Sequence, residues 1–146
     1  MKKTWQGKYG PLLIAEIGGN HMGNFEYAKH LTDLAIGAGV DYIKFQLYSG
    51  DTLVSRSESP DRNTHFKKFE LTQEMHLYLA EMCGKAGVGY MASVWNTDFM
   101  DWIDAYMPIY KVGSGDMTAY PILANIAARK KPIILSTGLS TLEEVL

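Results

Sequence analysis

Two lysines stand inside otherwise apolar strings, Lys44 in YIKFQ and Lys111 in IYKVG. Taking an ammonium out of water without a partner is costly. Each lysine therefore needs a carboxylate beside it, a path for its stem to reach solvent, or an anionic ligand. Two strand lysines that meet at one mouth make an anion site, such as one for a phosphate, the simplest account. Ser114 and Gly115 of KVGSGD, with Ser136, Thr137 and Gly138 of ILSTG, add hydroxyls and backbone N–H groups suited to phosphate or carboxylate oxygens. A lysine beside a second cation can equally serve as a Schiff-base nucleophile, which makes a lysine aldolase the alternative chemistry. Glu16, in the apolar string LIAEIG, is placed either to act as general acid or base or to be the fixed partner of Lys44. Gln46, Ser93 and Asp116 complete the polar set, Asp116 with a competing role as a helix N-cap.

Other signals are weaker. The glycines of IGGNHMG do not form a dinucleotide fingerprint. His21 reads as a hydrogen-bonding loop residue, and His30, His65 and His76 lack ligand spacing. Cys83 is the only cysteine; it reads as a small buried filler and suggests neither disulfides nor a zinc cluster.

These residues need elements to hold them. PLLIAEIG is an apolar run of strand length that ends at Gly18 and Gly19. Apolar residues from Phe25 to Gly37 recur at helical spacing behind Asn24 as N-cap, and Asp41 to Leu47 is the next strand. That order predicts a right-handed βαβ unit and a parallel sheet. Ser49 to Lys68, polar and broken by Pro60, reads as a long functional connection. The alternation then resumes. A helix runs from Thr72 to Lys85, a strand from Gly89 to Val94, a helix near Thr97 to Tyr106 and a strand from Ile109 to Gly113. A helix near Tyr120 to Arg129, a strand from Pro132 to Thr137 and the first turns of a helix in TLEEVL follow.

Five parallel strands suit either an open doubly wound sheet or a (β/α)8 barrel, and both bind ligands outside the C-terminal strand ends, where the polar residues fall. The expectation is an α/β chain in which residues 1–146 form one N-terminal portion of a TIM barrel, about its first five βα units. Such a portion would expose a sheet edge and an apolar face.

Composition narrows the partners. Of 146 residues, 47% are hydrophobic, which is ample for a core, and 14 basic against 16 acidic residues give a net charge of -2. No global field exists to hold nucleic acid or an anionic membrane. No run has the length of a signal peptide core or a membrane span, so the cytoplasm is the expected compartment.

The strings AEIGGNHMGNFEYAKHLTDLAIGAGVDYIKFQLY, KVGSGDMTAYPIL and PIILSTGLSTLEEV, in this order, resemble the sialic acid synthase family. Its members condense phosphoenolpyruvate with an N-acylated amino sugar. The resemblance runs from Pro11 to Leu146 and implies a TIM barrel, a small antifreeze-like domain after it, and a domain-swapped homodimer. Glu16 matches the family's catalytic glutamate, and Lys44 and Lys111 match its phosphoenolpyruvate-binding lysines. Ser114 and Ser136 match hydroxyl ligands of that substrate, and Gln46 a neighbouring site residue. Asp116 stands where many members carry a glutamate that contacts the sugar. Ser93, in ASVW, stands near the threonine of the family's STPF string, and Asn63 corresponds to a sugar-contacting loop asparagine. The implied cofactor is divalent manganese or magnesium, with ligands on strands beyond residue 146. Related phosphoenolpyruvate sugar-acid synthases, the Schiff-base aldolase, and a fragment that binds without turnover are the alternatives.

Overall fold

The structure is a computed structural model that describes residues 5–146. A short antiparallel hairpin, β1 (Gln6–Gly7) and β2 (Gly10–Pro11), precedes the main sheet. It is tied to the rest of the fold by the carboxylate of Asp41, which accepts from the backbone N–H of Lys8 at 2.8 Å and of Leu13 at 2.9 Å. These two donors hold the Asp41 carboxyl below the usual aspartate range.

The main alternation is β3 (Ile14–Gly18), α1 (Phe25–Gly37), β4 (Tyr42–Leu47), α2 (Gly50–Leu53), α3 (Pro60–Phe69), α4 (Gln73–Lys85), β5 (Gly89–Val94), α5 (Thr97–Ile103), β6 (Tyr110–Val112), α6 (Tyr120–Ala128), β7 (Ile133–Leu135) and α7 (Leu142–Val145). The caps that start α1 and α4 are those the sequence signals. Asn24 Oδ1 accepts from Tyr27 N at 2.9 Å, and Thr72 Oγ1 accepts from Met75 N at 3.3 Å.

The connection between β4 and α4 departs from the expected loop, because α2 and α3 occupy it. The string PDRNTHFKKF is polar nearly all round, so it carries no apolar stripe to betray a helix. Its start is set instead by Pro60, whose fixed φ suits the first helical turn.

Strand order decides between the two closures. β3, β4 and β5 pair in parallel, β6 and β7 pair in parallel, and β5 lies beside β6. The order follows the chain without reversal, whereas a doubly wound sheet turns back at a central strand. This is an arc of a (β/α)8 barrel.

The two faces of the arc differ as the period of two requires. Ile43, Phe45 and Leu47 of β4, Tyr90, Ala92 and Val94 of β5, and Tyr110 and Val112 of β6 join one core with Ala28, Leu79 and Cys83 of the covering helices. Burial pushes the Cys83 thiol up to about 11, in keeping with an inert filler. The intervening residues, Lys44, Gln46, Met91, Ser93 and Lys111, take the opposite, inner face. Among the described residues β7 has a strand neighbour on one side only, and its Ile133 and Leu135 are exposed, as are Leu139 and Leu142 beyond it. Among the described residues no helix is long and apolar enough to cross a membrane.

Candidate functional site

Parallel pairing puts Glu16 opposite Lys44 and Gln46 opposite Ser93, so these four residues share the inner face. Lys44 is 8% exposed and Glu16 supplies its countercharge, with Oε2 at 2.9 Å and Oε1 at 3.1 Å from Nζ. Glu16 itself stays half exposed at the strand end. The strand breaks register just after it, and Gly18 makes the turn with φ of +54°. That positive φ is one glycine adopts freely, and a β-carbon there would also displace the flexible end of Glu16, beginning 2.9 Å from its Oε1. The Gln46 amide lies over this Gly18–Gly19 turn.

Lys111 is held differently. Its Nζ donates to Ser136 Oγ at 2.7 Å and to the Val112 carbonyl, and among the described residues no carboxylate forms an ion pair with it. Burial, and then the positive charge of Lys44, lower its pKa from the ordinary lysine value, against weaker opposite pulls from Glu16 and Asp116. The two lysines are thus near enough to repel, and one of them has only neutral oxygens for partners. An anion of two or more charges would answer both facts.

The ends of β6 and β7 close around this point. Ser114 opens a short 3-10 turn, Ser114–Asp116, and a β-carbon at Gly138 would stand 3.8 Å from Ser114 Cβ. Asp116 does not cap a helix; α6 begins behind Ala119. Its Oδ1 instead accepts from Trp95 Nε1 at 2.8 Å. Trp95 is the residue that reading the sequence missed. The one available signal was a large aromatic directly after the β5 string, in a place where ligands bind.

Ser93 is 4% exposed on the inner face of β5. Asn63 lies in α3, 2% exposed, and its amide donates to the Gly50 and Val54 carbonyls at 3.1 and 2.9 Å and to Asp51 Oδ1 at 3.3 Å. It braces the α2–α3 excursion from within.

His21 and His76 are engaged structurally. His21 Nδ1 accepts from Gly23 N at 3.1 Å, and burial lowers the ring's pKa. His76 Nδ1 shares a 2.7 Å hydrogen bond with Tyr90 OH under complete burial, which pushes the ring down to about 3. Among the described residues no three His, Cys, Asp or Glu side chains could hold a metal ion together. The residues present therefore do not form the divalent-metal site that the resemblance implies.

A parallel barrel arc that delivers a carboxylate, two lysines and hydroxyls to its inner face and strand ends is part of a TIM barrel. Comparison with known proteins gives the lineage. Residues 31–146 match the model of the NeuB family, and the chain belongs to that family. It is 34% identical to an N,N'-diacetyllegionaminic acid synthase of Legionella pneumophila, over 91% of this chain and 41% of that protein. It is 31% identical to an N-acetylneuraminate-9-phosphate synthase of Drosophila melanogaster, over 91% of this chain and 39% of that protein. Among solved structures it is similar to the N-acetylneuraminic acid (sialic acid) synthetase of Leptospira borgpetersenii in complex with citrate. The TM-score is 0.85 and the identity 26%, covering 93% of this chain and 49% of that one. The chain thus spans about two fifths of the length of these curated relatives.

Proposed function

We propose that this chain is the N-terminal part of the barrel of a synthase that condenses phosphoenolpyruvate with an N-acylated amino sugar. The products would be a nonulosonic, sialic-type acid and inorganic phosphate. The observation that carries the reading is Lys111, a partly buried ammonium near Lys44 with no carboxylate of its own. Names of the relatives, sugar-acid synthases all, support the same class.

In this reading the phosphate and carboxylate of phosphoenolpyruvate answer Lys111 and Lys44, with Ser114 and Ser136 hydroxyls on their remaining oxygens. Gln46 and Ser93 line the same face beside them. An anion on Lys44 competes with Glu16 and releases its carboxylate, which then handles the proton at the aldehyde oxygen of the open-chain sugar. C3 of phosphoenolpyruvate bonds to the aldehyde carbon, water adds at C2, and phosphate leaves from the resulting tetrahedral carbon. Asp116 takes a sugar hydroxyl, and Asn63 positions the α2–α3 excursion that borders the sugar. The divalent manganese or magnesium implied by the family finds no ligand set among the described residues, and its ligands are assigned to strands beyond Leu146. The antifreeze-like domain, the homodimer and the cytoplasmic setting remain part of the proposal for the longer polypeptide.

The test is phosphate release by a polypeptide carrying this chain and the later strands. It should require phosphoenolpyruvate, an N-acylhexosamine and divalent metal together. Activity with arabinose or erythrose phosphate instead would move the assignment to the related sugar-acid synthases. The lowered pKa of Lys111 beside a second cation also favours one rival, the Schiff-base aldolase. Borohydride trapping of a substrate adduct on Lys111 or Lys44 would establish that rival and sink the synthase.

A further inference from the structure

The arc has a seam. β3, β4 and β5 form one hydrogen-bonded ladder and β6 with β7 another, and β5 and β6 share none. The seam runs between the half of the site that holds Glu16 and Lys44 and the half that holds Lys111, Ser114 and Asp116. At the strand ends it is bridged by Trp95, whose backbone N–H donates to Leu47 O at 3.2 Å and so belongs to the first half. Its indole packs on Tyr48 at 5.7 Å between ring centroids, and Tyr48 meets Phe66 of α3 edge-on at 5.5 Å. From that aromatic anchorage Nε1 reaches across to Asp116 Oδ1 at 2.8 Å. On its other side the Asp116 carboxylate lies against the bare Cα of Gly113, where a β-carbon would stand 2.9 Å from Oδ2. The carboxylate is clamped between an indole N–H and a glycine, and it is near enough for its charge to act on Lys111.

We propose that Trp95 is the positioning residue that sets acceptor specificity: by fixing one oxygen of Asp116 across the seam, it decides which substrate hydroxyl the other oxygen can reach. The inference rests on the synthase reading for the identity of the acceptor, but the clamp itself does not depend on it. A ring that only filled space would serve equally well as phenylalanine. An indole that orients a charge would not, because a hydrogen bond to a charged group is stronger than one between neutral groups.

Two measurements separate these possibilities. The first uses the longer polypeptide labelled with 15N-tryptophan, in which Trp5, Trp95 and Trp102 of this chain each give one indole N–H signal. Trp95→Phe identifies the Trp95 signal, and Asp116→Asn should move that signal upfield while the Trp102 signal, a control for folding, stays in place. If Trp95→Phe fails to fold, Asp116→Asn still reports, because it leaves every indole present. A Trp95 signal indifferent to Asp116 overturns the clamp.

The second uses the same polypeptide. Trp95→Phe should raise KM for the amino sugar about tenfold, less than the full loss of a charge-assisted contact because Trp95 acts only through Asp116, and leave kcat and KM for phosphoenolpyruvate within about twofold. It should also narrow the preference between acceptors that differ at one hydroxyl. An unchanged acceptor KM and preference would overturn the role in specificity. If the unaltered polypeptide released no phosphate at all, the synthase reading would fall, and the indole signal would still decide whether the clamp exists.

Discussion

Lys111→Met preserves the length of the side chain and deletes its charge, and the structure assigns opposite signs to its effects on folding and on binding. In the folded chain the ammonium donates to Ser136 Oγ and the Val112 carbonyl, and burial with the Lys44 charge lowers its pKa. Losing two hydrogen bonds costs about 1 kcal/mol each, and losing a partly desolvated, repelled charge returns a similar amount, so stability should change by less than about 1 kcal/mol. Anion binding loses a charge-assisted contact of about 2–3 kcal/mol, or roughly 30- to 150-fold in Kd. Titration calorimetry with phosphoenolpyruvate, alongside urea unfolding, measures both.

The pH dependence gives a further check. Between the lowered Lys111 pKa and the ordinary 10.5, the unfolded chain holds the proton that the folded chain has lost, so this group makes stability rise with pH in that window. Affinity for the anion does the reverse, falling as pH rises through the lowered pKa, and Lys111→Met should abolish that fall. The reasoning is refuted if the variant binds phosphoenolpyruvate within threefold of the parent, or if it loses several kcal/mol of stability, which would make Lys111 a structural residue.

Glu16→Gln leaves buried Lys44 without its countercharge. Because Glu16 is half exposed, the cost should be about 1–2 kcal/mol in urea unfolding, below that of a fully buried pair, and Lys44→Met with Glu16→Gln should recover most of it. His76, held near pKa 3 by burial, refuses a proton that the unfolded chain accepts near 6.5. Stability should therefore fall from about pH 6.5 towards 3, and His76→Gln should flatten that part of the acid-unfolding curve. Asp41→Ala should speed amide exchange at Lys8 and Leu13 and leave β3 to β5 protected. Asp41's contribution, present above its unfolded pKa of 3.8, should disappear as pH falls through its lower folded value; unchanged exchange would deny it the role of hairpin anchor.

Much of the site was legible because it follows local rules. In YIKFQL the alternation of Ile43, Phe45 and Leu47 with Lys44 and Gln46 assigns opposite faces before any neighbour is known. The caps at Asn24 and Thr72 and the turn at Gly18 depend on a few adjacent residues, and they appear where expected. The helix α3 was not legible, since a helix polar all round has no periodic signal and relies on contacts such as those of Asn63 with Gly50 and Val54.

By itself, then, the sequence determined the strands, the order of elements and which residues face away from the helices, because each depends on propensity and period along the chain. Only the tertiary structure decided that the order curls into a barrel arc, that Glu16 neutralises Lys44 and leaves Lys111 without a carboxylate, and that Trp95 reaches Asp116 across the seam. Those outcomes depend on distances between residues 21 to 28 positions apart in the chain, which are fixed by how strands stack and how side chains compete for the same partner, and no local pattern encodes them.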